Sequence, residues 1–135
     1  MKRLIYLFYF LSVSDAFGDT RVLDFLYEIR PNDSAAPEQF EEINKNARNL
    51  ELDKALSELE SITNKPWEVN TLSDLNRLKA LCNVAIMKVA SGDYSNGLVG
   101  LDKSIAAFSD LVKPFDPVMV RALVVRGIAA LSVED

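Results

Sequence analysis

The sequence predicts an all-α protein built from antiparallel helical hairpins. Apolar residues recur at helical spacing in every segment from Pro37 onward, short turns marked by Pro, Gly and Asn separate those segments, and no stretch alternates with period two long enough to suggest a sheet. Helices joined by short loops pack antiparallel, which makes the hairpin the natural unit.

The chain opens Met1-Lys2-Arg3 and continues Leu4-Ile5-Tyr6-Leu7-Phe8-Tyr9-Phe10-Leu11-Ser12-Val13. A basic start followed by roughly ten apolar residues is the pattern of a secretory signal peptide. Ala16-Phe17-Gly18 places small residues where a signal peptidase needs them, so cleavage is expected before Asp19. The run is shorter than the about 20 residues that cross a bilayer, so no integral membrane span is expected. No cysteine follows it to carry a bacterial lipid anchor. Residues 1–18 therefore read as a leader, 19–36 as an N-terminal segment and 37–135 as the helical domain, in a periplasmic or secreted protein. Retention of the leader would instead give a cytoplasmic protein whose N-terminal segment folds onto the hairpins.

Arg21 to Arg30 predicts a short helix with Val22, Phe25, Leu26 and Ile29 on one face. Pro31-Asn32-Asp33-Ser34 reads as a turn and also matches the glycosylation acceptor pattern, a match that chance readily supplies. Pro37 suits a first helical turn, and a helix over 37–49 carries Phe40, Ile43 and Ala47. Leu52, Ala55, Leu56, Leu59 and Ile62 form the stripe of the next helix, which Lys65-Pro66 ends. Thr71, with Asp74 three residues on, is the expected cap of a long helix reaching Ala90. Its buried side is expected to hold Leu75, Leu78, Leu81, Cys82, Ala85, Ile86 and Val89. Ser91-Gly92-Asp93 breaks it, because glycine accepts the left-handed conformation that closes many helices. A helix from Ser95 to Val112 follows, with Tyr94, Leu98, Leu101, Ile105 and Phe108 in register, and Pro114 stops it. Asp116-Pro117 supplies a cap and a first-turn proline for a last helix reaching Leu131.

Composition narrows the function. Of 135 residues, 49% are hydrophobic and 26% charged, as in ordinary folded domains. Fifteen basic against 20 acidic residues leave a net charge of −5, which phosphate backbones repel, so no nucleic-acid partner is expected. There is no histidine and a single cysteine, Cys82, which removes zinc sites and the imidazole-dependent nucleophile arrangements. Cys82 lies on the apolar stripe and reads as a small core residue. Glu41-Glu42 and Glu58 with Glu60 read as solvated helix faces. No cofactor and no metal are expected, and no catalysis; paired carboxylates acting as a small hydrolase are the alternative from another class, and would require a cleft holding at least two of them with displaced titration.

An internal repeat points further. At an offset of 42 residues, Leu52, Ala55, Leu56, Leu59 and Ile62 fall on Tyr94, Gly97, Leu98, Leu101 and Ser104. The same step carries Ile43 onto Ala85 and Gly127, Phe40 onto Cys82 and Val124, and Ala47 onto Val89 and Leu131. Ala85, then Gly92-Asp93-Tyr94, then Gly97 reproduce the small residues and Gly-x-Tyr turn of a tetratricopeptide unit, and the chain over residues 37–131 resembles that family. The likeness is degenerate: Leu50-Glu51-Leu52 replaces the turn in the first copy, and the family's tryptophan is missing, the lone Trp67 lying in a loop. The period also exceeds the family's usual one of about 34 residues, and HEAT or armadillo units, of about 40–47 residues, fit it too.

The resemblance implies a short superhelix whose first helices line a groove for a protein or peptide partner, with Tyr94 plugging the gap between hairpins. By position that groove would hold Lys79, Asn83 and Ile86, then Arg121, Val125 and Ile128, preceded by Glu41 and Asn44. It implies a protein-interaction adaptor or scaffold, or a cytoplasmic chaperone-like or regulatory protein if the leader stays. The last helix adds an expectation of its own. Val118, Met119, Val120, Leu123, Val124, Val125, Ile128 and Leu131 spread around most of its circumference, where a terminal repeat helix should carry a polar face. It is expected to be covered by the N-terminal segment, by a second copy of the chain in a homo-oligomer, or by a partner.

Overall fold

A computed structural model describes residues 18–30, 37–64 and 73–134. Among them every regular element is helical. Five α-helices follow in order: α1 Pro37–Arg48, α2 Leu52–Thr63, α3 Asp74–Ala90, α4 Tyr94–Ser109 and α5 Pro117–Glu134. Residues 1–17 of the expected leader, the expected turn at Pro31–Ser34, the expected helix stop at Lys65-Pro66, Trp67 and the expected cap Thr71 lie outside the described residues.

Neighbours in sequence are neighbours in space. The pairs α1–α2 and α3–α4 form the two hairpins, α2 packs on α3, and α4 packs on α5. Gly18–Arg30, in contrast, leaves the sequential order and lies across α3, α5 and α1, the helices that open each unit. We call this segment the strap. It faces one layer, made by α1, α3 and α5, while α2 and α4 pack behind.

The α3–α4 contact depends on missing side chains. A Cβ on Gly97 would sit 2.5 Å from Val89 Cγ2 and 3.2 Å from the Ala85 carbonyl oxygen, and one on Gly100 would sit 2.8 Å from Ala85 Cβ. These backbones therefore approach more closely than ordinary side chains allow. Ala85 and Gly97, the pair singled out by the repeat, do meet. Tyr94 is half-buried against the common core.

The two hairpin turns have the same construction, 42 residues apart. Gly92 has φ 97° and Leu50 has φ 65°, both left-handed. Gly92 N donates to Val89 O at 3.1 Å and Asp93 N to Lys88 O at 2.9 Å. Leu50 N donates to Ala47 O, and Glu51 N to Asn46 O, each at 2.9 Å. Both turns are thus Schellman closures, which satisfy the last carbonyls of the preceding helix. The first carries leucine where glycine costs least.

Three expectations are corrected. The segment after Arg21 is not a helix throughout: a 3₁₀ turn spans Thr20–Phe25, and residues 26–30 form no regular element. Val22, Leu23, Leu26, Tyr27 and Ile29 are all buried, leaving too little exposed arc for an amphipathic helix. The cap of α3 is Ser73, whose hydroxyl accepts from Asn76 N at 3.2 Å, two residues after the expected threonine. Leu81 is exposed, whereas Asn83, Val84 and Met87 are buried. α2, α4, the strap and α5 all pack on α3, so its burial no longer follows one stripe. The cap at Asp116 is as expected, its carboxylate accepting from Val118 N at 2.9 Å.

Candidate functional site

The layer expected to form an open groove is filled by the strap. Irregular backbone lacks the internal hydrogen bonds of a helix, so its buried groups need partners elsewhere. Side chains from all three facing helices supply them. Asn83 of α3 is fully buried; its Oδ1 accepts from Tyr27 N at 2.7 Å and its Nδ2 donates to Tyr27 O at 2.9 Å. Asn44 of α1 donates to the same carbonyl at 3.0 Å. Arg121 of α5 donates to Leu26 O at 3.0 Å, and Asn76 of α3 to Arg30 O at 2.9 Å.

Tyr27 is the centre of this arrangement. Its hydroxyl donates to Val118 O at 2.6 Å, and its ring packs against Phe108 with centroids 5.8 Å apart. The Arg121 guanidinium sits 5.3 Å from the ring centroid, within cation–π range. Burial pushes the phenol far above its ordinary range, so it stays protonated. Cys82 is fully buried on α3, and burial pushes its thiol up to about 12. A thiol held protonated and out of solvent is no nucleophile.

The other end of the strap is tied to the helix ends. Gly18 N donates to Ala90 O at 2.6 Å. The Asp19 carboxylate accepts from the backbone N–H and side chain of Arg21, capping the 3₁₀ turn, and from Ser132 Oγ of α5 at 2.8 Å. The Arg21 hydrogen bonds hold this carboxyl below its ordinary value, against the opposing effect of partial burial.

Of the groove residues inferred from the sequence, Asn83, Ile86 and Val125 are fully buried, and Ile128 and Lys79 are half-buried. Arg121 is used on Leu26 and Tyr27, Asn44 on Tyr27, and Glu41 is exposed. The structure thus gathers these positions on one layer, and the chain itself occupies it. Tyr27 and Asn76 were not singled out by sequence; the signal for Tyr27 was its place within a run of apolar residues too dense for a one-sided helix.

Beside the strap is a recess of about 830 Å³. Asp24, Glu28, Glu38 and Glu41 line it together with Arg30, Arg48 and Arg121. Glu28 is ion-paired with Arg30, and both side chains are largely exposed. Among the described residues no group of three His, Cys, Asp or Glu could hold a metal ion, and no helix is long and apolar enough to cross a membrane.

The second surface of note is on α5. One side of this helix is covered by α4 and the strap, with Met119, Ala122, Val125 and Ala129 buried. On the opposite side Val120 is 43% exposed, Leu123 49%, Val124 41% and Leu131 64%, and Phe115 just ahead of the helix is 90% exposed. Gly127 lies in the same stripe, with nothing among the described residues within 4 Å of a Cβ placed on it. By the 42-residue step, Gly127 and Leu131 occupy the positions of Ala85 and Val89, which receive α4. The stripe is the face of α3 that takes a helix, repeated on α5 without one among the described residues. Arg126 is turned aside by an ion pair with Asp102 of α4 at 3.0 Å.

Comparison with known proteins gives no match: no family model, no curated protein and no solved structure resembles the chain significantly.

Proposed function

We propose that the chain is a non-catalytic protein-interaction module, a degenerate tetratricopeptide-like adaptor that binds through the apolar stripe of α5 and not through its groove. The bare stripe is the observation that carries this reading. Fully burying a large aliphatic side chain is worth about 1.5–3 kcal/mol, so four that remain roughly half exposed leave about 1 kcal/mol each to be gained from a partner. Contiguous apolar surface of this kind marks interaction sites. The partner it suits is an amphipathic helix laid along α5, as α4 is laid along α3. The groove is a weaker candidate because Tyr27 and its clamps already satisfy it. The Schellman turns at Leu50 and Gly92 support the repeat reading, since they place the same closure at the same step despite different residues. The recess beside the strap interleaves its carboxylates with Arg30, Arg48 and Arg121, which weighs against the hydrolase alternative.

The same proposal takes the protein to be exported. Cleavage before Asp19 would remove the Gly18 bond to Ala90 and leave the Asp19 cap and every strap contact from Asp19 to Arg30 in place. The mass of the purified N-terminus tests this; a chain retaining Met1 would refute it.

For the interaction itself, a photo-crosslinking amino acid is placed at Val124, or at exposed Lys54 on α2 as control, and irradiated in the native host. A discrete adduct is expected from position 124 only, and it should vanish when Leu123→Asp is added. Equal products from both positions, or none from 124, would remove the support for a docking stripe.

A further inference from the structure

We propose that the helix received by the α5 stripe is the α5 of a second copy, laid antiparallel about a two-fold axis through Gly127. This rests on the docking reading above and names its partner. Leu123 and Leu131 stand four residues before and after Gly127, and Val124 and Ala130 three before and after. Positions three and four apart share a helix face, so the stripe has apolar groups at equal distances on either side of a residue with no side chain. An antiparallel copy then sets Leu123 against the partner's Leu131 and Leu131 against the partner's Leu123, the reciprocal pairing that a two-fold interface requires.

The centre of the stripe permits close approach. Among the described residues nothing lies within 4 Å of a Cβ built on Gly127, so the helix backbone is open to a neighbour there. The chain already uses this device once: Gly97 and Gly100 bring α4 onto Ala85, the residue one repeat before Gly127. Charge does not oppose the pairing. The exposed positions 120, 123, 124, 127 and 131 carry none, and Arg126 is held to the side by Asp102. Antiparallel helices also place opposite ends of their dipoles together. A heterologous helix would have to present a matching small residue between two leucines; a second copy presents it by symmetry.

The open space at Gly127 makes the test clean, because substitution there leaves the monomer's packing untouched. The full chain is measured by light scattering across a concentration series, with circular dichroism to confirm unchanged helicity. The wild-type chain should approach twice its 15.1 kDa mass as concentration rises. Gly127→Glu and Gly127→Lys should each remain monomeric, since the axis sets like charges against each other. Mixed in equal amounts, the two variants should associate again, with affinity at least about tenfold tighter than either alone. Leu123→Cys on one copy should form a disulfide with Leu131→Cys on another, which fixes the antiparallel sense. A wild-type chain that stays monomeric at submillimolar concentration, or association that neither charge variant weakens, overturns the proposal. If the chain stays monomeric while the crosslinker at 124 still captures another helix, self-pairing fails and the docking reading stands.

Discussion

Replacing Asn83 with alanine should destabilise the fold more than replacing Asn44, and the two effects should not add. Tyr27 N has one acceptor, Asn83 Oδ1 at 2.7 Å, while Tyr27 O has two donors, Asn83 at 2.9 Å and Asn44 at 3.0 Å. Asn83→Ala therefore strands a buried N–H and leaves the carbonyl with one partner. A stranded buried donor costs about 1–3 kcal/mol, and the lost second bond to the carbonyl adds a smaller amount, so the expected loss is about 2–3 kcal/mol. Asn44→Ala leaves both backbone groups of Tyr27 partnered and should cost about 1 kcal/mol or less. In the double variant the carbonyl is bare as well, which adds a coupling of about 1 kcal/mol beyond the sum of the single losses. Urea titrations of the four chains, fitted with a common slope, measure all three quantities. A loss below about 0.5 kcal/mol for Asn83→Ala, or strict additivity, would refute the claim that these amides clamp the strap.

Other consequences can be checked alongside. Leu50→Gly should stabilise the chain by up to about 1 kcal/mol, because a left-handed leucine costs about 1–2 kcal/mol and glycine returns part of that in unfolded-state entropy; thermal melts read it. Gly92→Ala, which puts a Cβ into a left-handed residue at φ 97°, should lower the melting temperature in the same assay. Cys82, buried and with its thiol pushed up to about 12, should react with a thiol reagent only as fast as the protein unfolds, so denaturant should accelerate labelling in step with the unfolding curve. Because the folded Asp19 carboxyl titrates below its ordinary value, its stabilising effect is complete above the unfolded value and is lost as pH falls through the lower folded one. Asp19→Asn should accordingly flatten the acid limb of the stability curve, by roughly half a kcal/mol, and leave its slope unchanged at neutral pH.

The helices were legible because their stripes and breakers are local. Phe40, Ile43, Ala47, Leu52, Ala55 and Leu59 are buried as their spacing predicts, and α2 and α4 start at Leu52 and Tyr94, the 42-residue step apart. The path of the strap was not legible, because what holds it is distant in sequence: Asn83 is 56 residues from Tyr27, and Arg121 is 95 from Leu26. Periodicity at Val22, Phe25, Leu26 and Ile29 argues for a helix, and tertiary hydrogen bonds outweigh it. A trace was present in Asn83, an amide among Leu81, Cys82, Val84, Ala85 and Ile86, since a polar residue inside an apolar helix face needs a buried partner. The left-handed Leu50 was hidden by its side chain, although the repeat set it opposite Gly92. On α5 the excess of apolar residues was plain in sequence; which of them remain bare depended on where α4 and the strap lie.

The most direct measurement of a filled groove and an open stripe compares two cysteines in a Cys82→Ala background. Ile86→Cys reports the layer beneath the strap and Val124→Cys the outer side of α5, each labelled with a maleimide at low micromolar concentration under native conditions. Position 124 should label at the rate of a free thiol, and position 86 only at the rate of global unfolding. Fast labelling at 86, or protection at 124 in the monomer, would contradict the arrangement on which the functional reading depends.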